Sequence, residues 1–128
     1  MLRMGILGLG KIAHKMARTV AQMKQVRIAA VGSRSYEKAR EFAALYGIEK
    51  TYGSYEGLAS DGDLDLIYIA TPHSEHYYHM KLCLKYNKNI LCEKAFTLNV
   101  EQAREVFAEA EKKGLLLTEA IWTRYMPS

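Results

Sequence analysis

Gly8-Leu9-Gly10-Lys11-Ile12-Ala13 fits the pattern G-x-G-x-x-A, in which each small residue has a separate job. The first glycine permits a tight turn, the second lets backbone approach a charged ligand, and the small third residue lets a helix pack closely on a strand. Amides at the start of a helix that opens on such a turn bind phosphate. The spacing therefore predicts a pyrophosphate site built from Gly8, Gly10, Lys11, Ile12 and Ala13. A glycine turn that only ends a strand would carry the same letters, and the order of the surrounding elements decides between the two.

Three further groups could do chemistry. Gly32-Ser33-Arg34 stands where NAD-specific domains carry a ribose-binding acid, and it offers no carboxylate. Arg34 suits a 2′-phosphate and can stack on adenine, Ser33 can donate a hydroxyl hydrogen bond, and Lys38 lies one helical turn further on. This favours NADP over NAD; the plainer reading is an Arg and a Lys solvated beside a helix start. Ala70-Thr71-Pro72-His73 ends an apolar run, with His76 and His79 following at steps of three. Steps of three spread rings over a broad arc of a helix and no carboxylate joins them, so no metal site is expected. His76, in the first turn, can reach a ligand in the crevice, whereas His79 reads as a half-exposed helix residue. Glu93-Lys94 follows a further short run. Its ammonium could polarise a substrate hydroxyl or carbonyl as hydride moves, or the pair could be a surface ion pair.

The elements that must position these groups alternate in kind. Strands are predicted at Met4 to Leu7, Val26 to Val31, Thr51 to Tyr52, Asp65 to Ala70, Asn89 to Cys92 and Leu115 to Thr118. Helices are predicted from Lys11 to Met23, from the cap Ser35 to Tyr46 with Gly47 as its stop, briefly around Leu58 after the cap Ser54, from Ser74 to Tyr86, and from Val100 to Lys113 before Gly114. Strands alternating with helices give right-handed βαβ units and a parallel sheet covered on both faces. The expectation is a three-layer αβα Rossmann fold, a doubly wound sheet of six strands in the order 3-2-1-4-5-6. All candidate groups then fall at the carboxyl ends of strands, where such sheets bind ligands.

Bulk properties narrow the class. The chain has 128 residues, 49% hydrophobic and 25% charged, which fits one self-standing domain and excludes disorder or a fibrous repeat. Its 18 basic residues are interspersed with 14 acidic ones, and the excess of +4 does not imply nucleic acid. No stretch approaches a membrane span or a signal peptide. Cys83 and Cys92 lie in apolar contexts away from any metal spacing and read as reduced thiols of a cytoplasmic protein.

Taken together, Gly8-x-Gly10-x-x-Ala13, Ser33-Arg34 with Lys38-Ala39, Ala70-Thr71-Pro72-His73-x-x-His76, Cys92-Glu93-Lys94 and the ending Glu119 to Pro127 resemble the Gfo/Idh/MocA oxidoreductases over essentially the whole chain. The ending looks most like the branch containing dimeric dihydrodiol dehydrogenase, whose members are commonly NADP-dependent. The resemblance implies an NAD(P)-dependent enzyme acting on a sugar, polyol or diol, with Lys94 as the catalytic lysine of a Glu-Lys-Pro motif. Trp122 and Arg124 would then lie near the cofactor. Ala95 stands in place of the motif's proline, which removes a restraint on the Lys94 backbone. The family also carries a second α/β domain that supplies the substrate wall and the oligomer surface. Residues 1–128 are accordingly expected to be the dinucleotide-binding domain alone, able to bind cofactor, weak in turnover and prone to self-associate as a homo-oligomer. A non-catalytic dinucleotide sensor would use the same fingerprint.

Overall fold

The computed structural model describes residues 1–93 and 98–119. Chain order is β1 (Leu2–Leu7), α1 (Lys11–Val20), β2 (Val26–Gly32), α2 (Tyr36–Tyr46), β3 (Lys50–Tyr52), α3 (Tyr55–Ala59), β4 (Leu66–Ile69), a 3-10 turn (His73–Glu75), α4 (His76–Lys85), β5 (Asn89–Cys92), α5 (Val100–Lys113) and β6 (Leu117–Glu119). The strands form one sheet, β3-β2-β1-β4-β5-β6, and every neighbouring pair is parallel. This is the expected doubly wound order, whose direction reverses between β1 and β4.

Alternation along the strands divides the core. Ile67, Ile69, Ile90 and Cys92 face one side with Leu58 of α3, Met80 and Leu84 of α4 and Val106 of α5. Met4, Ile6, Tyr68 and Leu91 face the other, with Ala13, Met16 and Val20 of α1 and Phe42 of α2. Strands buried on both faces are apolar at consecutive positions, which is why Leu66 to Ile69 reads as an unbroken run. Ser35 and Ser54 cap α2 and α3 through their hydroxyls, and Gly47 and Gly114 end α2 and α5 in left-handed conformation.

Among the boundaries that differ from the sequence expectation, three have a clear hydrogen-bonding cause. Helix α1 stops at Val20, and Gln22 and Met23 close a turn on the carbonyls of Thr19 and Val20. Pro72 starts the 3-10 turn before α4, with Glu75 N–H donating to its carbonyl, so the helix expected from Ser74 begins at His76. Strand β6 starts at Leu117 because Leu115 N–H still bonds Ala110 at the helix exit and Leu116 N–H is taken by the Asn89 side chain.

The far edge of the sheet is pinned by a polar cluster. Asp61, with 4% of its side chain exposed, accepts from Tyr52 Oη at 2.7 Å, Lys50 Nζ at 3.1 Å and Asp63 N–H at 2.9 Å. Burial alone would raise the Asp61 carboxyl, but the Asp63 amide, the Tyr52 hydroxyl and the Lys50 ammonium outweigh it and hold the group below its ordinary value. A carboxyl depressed in the native state contributes stability above its unfolded value, near pH 4, and the contribution fades as pH falls through that value toward the native one. Asp61→Asn is expected to cost about 2 kcal/mol, roughly 8 °C in Tm, at pH 7. Thermal unfolding measured from pH 7 to 3 should also show a shallower acid limb in the variant; parallel curves would mean that Asp61 carries no pH-linked stability.

Candidate functional site

The reversal between β1 and β4 opens a groove of about 620 Å³ at the carboxyl edge of the sheet. Its floor is the β1–α1 turn from Gly8 to Ile12. One wall is the Ala70 to His73 loop after β4, and Tyr55 of α3 and Glu93 beyond β5 stand at its flanks.

The two turn glycines do different work. Gly8 sits at φ +95, in the left-handed region, with its N–H donating to Gly32 at 3.0 Å. A Cβ there would lie 2.6 Å from the Thr71 methyl and 3.1 Å from the Thr71 amide nitrogen, so Gly8 is required by the fold. Gly10 has ordinary extended backbone, φ −84 and ψ −164, and a Cβ built on it meets nothing within 4 Å. Its freedom faces open groove. Gly10 is the N-cap of α1 and brings no side-chain cap, and the first turn of that helix contains no acid, so the helix presents its positive end to the groove. Ala13 is fully buried and lets α1 lie close on β1.

Thr71 is held from below by two histidines. His76 Nε2 bonds the Thr71 carbonyl at 2.8 Å, and His79 Nδ1 shares a 2.7 Å hydrogen bond with the Thr71 hydroxyl. His76 is completely buried and absent from the groove lining, which corrects the expectation that it reaches a ligand in the crevice: it supports the Thr71 loop from beneath. His79 is half-buried, as expected, but it also belongs to the site's frame. Burial pushes its pKa down, with the Arg34 charge acting in the same direction, and Tyr55 packs edge-on against its ring at 4.7 Å. Pro72 and His73 are exposed along the wall.

At the end of β2, Ser33 is buried and its hydroxyl accepts from Ser35 N–H at 3.1 Å, while Arg34 and Lys38 are exposed. Glu93 continues the β5 ladder, its N–H donating to Ile69 at 3.0 Å, and its carboxylate accepts from the Tyr68 hydroxyl. Lys94, Ala95, Trp122 and Arg124 lie outside the described residues. The lining residues Leu9 and Tyr55 were missed by sequence reasoning. Tyr55 had a signal, since Gly53-Ser54 ends β3 at this same edge, but nothing in its type set it apart from the eight other tyrosines.

The remaining reactive groups do not compete. Burial pushes the Cys83 thiol up to about 12 and raises Cys92 further, so neither is a nucleophile at neutral pH. Among the described residues no cluster of His, Cys, Asp or Glu is placed to hold a metal ion, and no helix is long and apolar enough to cross a membrane.

Residues 2–121 match the model of an oxidoreductase family described as having an NAD-binding Rossmann fold. The chain is 40% identical over 129 aligned positions to trans-1,2-dihydrobenzene-1,2-diol dehydrogenase of Bos taurus, with 99% of this chain and 38% of that protein covered. The human enzyme of the same name is also 40% identical, over 99% of the chain and 39% of its own length. Among solved structures, a 3-ketoreductase from Actinomadura kijaniata, in complex with TDP-benzene and NADP, superposes with a TM-score of 0.90 at 29% identity, covering 98% of this chain and 40% of that one. The chain thus spans about two-fifths of the length of the relatives it matches.

Proposed function

The chain belongs to the oxidoreductase family with an NAD-binding Rossmann fold, and we propose that it is the cofactor-binding part of an enzyme that moves hydride between a nicotinamide dinucleotide and a sugar, polyol or diol. The observation that carries this reading is Gly10, whose missing side chain leaves open groove beside the uncapped end of α1, where a pyrophosphate needs close approach to backbone. Lys11 and the free amides at the start of α1, both at the groove floor, support a phosphate-bearing ligand. NADP is the preferred form, on the strength of Arg34, Lys38 and the Ser33 hydroxyl at the end of β2 and the absence of an acid from Gly32-Ser33-Arg34.

When bound, the nicotinamide supplies the hydride acceptor or donor. The chain's own residues then have separable tasks. The α1 amides and Lys11 offset phosphate charge, and the Thr71 loop, anchored by His76 and His79, limits how the ligand can shift along the wall. Lys94, next in sequence to the groove residue Glu93, is assigned the proton on family resemblance: as the neutral amine it would take the substrate hydroxyl's proton as hydride leaves in oxidation, and as the ammonium it would return that proton to the carbonyl oxygen in reduction. Trp122 and Arg124 are assigned to the cofactor on family resemblance. The diol and keto substrates named for the relatives support the substrate class. Two buried thiols suit a reducing, cytoplasmic setting, and a homo-oligomer is the proposed assembly.

Titration of the 128-residue chain with NADPH and NADH by fluorescence or calorimetry is the primary test, with NADPH expected to bind at least about tenfold more tightly. Failure to bind either cofactor would overturn the reading. Tight binding without hydride transfer to or from any member of a sugar, polyol and diol panel, measured once the chain is joined to a substrate domain, would favour a dinucleotide sensor instead.

A further inference from the structure

Tyr68 occupies the middle of β4 with its ring fully buried, an unfavourable place for a hydroxyl unless that group is hydrogen-bonded. Its partner is the Glu93 carboxylate. The register explains the meeting: Tyr68 pairs with Leu91 across the β4–β5 ladder, both face the α1 side of the sheet, and Glu93, two residues beyond Leu91, returns to that side. Burial first, and the neighbouring carboxylate second, push the Tyr68 hydroxyl far above its ordinary value. It therefore remains a proton donor at every working pH. Tyr68 has no place in the groove lining, whereas Glu93 does.

Sheet order fixes which half of a dinucleotide Glu93 would meet. The pyrophosphate turn lies over β1. Arg34 and Lys38 follow β2 on one side of it, and Glu93 follows β5 on the other. A ligand whose 2′-phosphate end lies toward Arg34 must carry its nicotinamide end toward Glu93. A carboxylate only accepts hydrogen bonds, so it suits ribose hydroxyls, a carboxamide N–H or a positive ring. Oxidised nicotinamide carries that positive charge and reduced nicotinamide is neutral. We propose that Tyr68 is a positioning residue that holds the Glu93 carboxylate at the nicotinamide end of the groove, so that the domain discriminates in favour of oxidised over reduced cofactor. This inference rests on the dinucleotide reading above.

The test compares dissociation constants of the 128-residue chain for NADP⁺, NADPH and 2′,5′-ADP, the last lacking the nicotinamide half. Tyr68→Phe keeps the ring and removes the hydroxyl. It is expected to weaken NADP⁺ about tenfold and NADPH only about twofold, with 2′,5′-ADP unchanged. Because Tyr68 acts through Glu93, Tyr68→Phe added to Glu93→Gln should change the NADP⁺ to NADPH ratio no further. A purely structural role predicts equal losses for all three ligands, and that result, or an unchanged ratio, overturns the proposal. If Tyr68→Phe does not fold, Glu93→Gln decides alone: it removes the charge and leaves Tyr68 an amide oxygen to bond, so a ratio that persists in it overturns the proposal and a collapsed ratio supports it. A wild-type chain that binds 2′,5′-ADP and neither nicotinamide form would refute this inference while leaving the nucleotide site intact. A wild-type chain that binds none of the three would refute the proposed function itself.

Discussion

Gly10→Val is expected to leave the fold intact and weaken dinucleotide binding about 100-fold, whereas Gly8→Val should fail at folding before binding can be asked. Two glycines two residues apart differ in this way because of what surrounds them. At Gly8 a new side chain meets the Thr71 methyl at 2.6 Å and backbone at 3.1 Å, and it must also adopt φ +95, which a β-branched residue resists. The combined overlap and strain would cost several kcal/mol, of the order of 3 to 5, a large part of a small domain's stability. At Gly10 the backbone is extended and the space is empty, so valine strains nothing. What it does is fill the approach to the first-turn amides. Losing two phosphate contacts at about 1.5 kcal/mol each gives the hundredfold figure. Circular dichroism and thermal unfolding separate the two variants, and NADPH titration measures the second. Gly10→Val with full affinity would reassign the turn to structure alone.

That contrast also marks how far the sequence is legible. The pattern G-x-G-x-x-A points to both glycines but cannot say which one the fold requires, because that depends on Thr71, more than sixty residues away in the chain. The six strands and their order follow from local signals, since most βα units are marked by an apolar run together with a glycine turn, a cap such as Ser35 or Ser54, or a stop such as Gly47 or Gly114, and the right-handed crossover leaves few ways to assemble them. Strand ends are less legible: Leu115 and Leu116 are as apolar as Leu117, and only their hydrogen bonds to Ala110 and Asn89 remove them from β6. The same limit applies to the histidines. Spacing places His76 and His79 on one helix after Thr71, but that both turn under the loop to hold Thr71 is set by packing on α3 and β4. Tyr68 is the extreme case, an apolar-looking strand residue whose hydroxyl gains meaning only when Glu93 is brought beside it.

Arg34→Asp is expected to reverse cofactor choice, weakening NADPH about 100-fold or more while leaving NADH unchanged or improved. The wild-type end of β2 presents the Arg34 guanidinium, the buried Ser33 and the exposed Lys38, with no carboxylate in Gly32-Ser33-Arg34 to receive a free ribose hydroxyl. Aspartate changes both sides of the comparison. It removes a fork of donors suited to a 2′-phosphate and sets a like charge against it, and it supplies the acceptor that an unphosphorylated ribose lacks. Lys38 remains in the variant and limits the loss, so Arg34→Asp combined with Lys38→Ala should extend it. Because Arg34 and Lys38 are exposed, any contacts they make with a 2′-phosphate would be ionic and screened, so the proposed preference for NADPH should shrink as salt rises, and the variant's preference should be far less sensitive to salt. Folding is not at stake, since Arg34 is exposed and Ser35 continues to cap α2. Titrations of both cofactors at low and high ionic strength decide the matter. Equal losses for NADPH and NADH would mean that Arg34 contacts a part common to both, the adenine ring being the nearest candidate, and that the phosphate preference resides elsewhere.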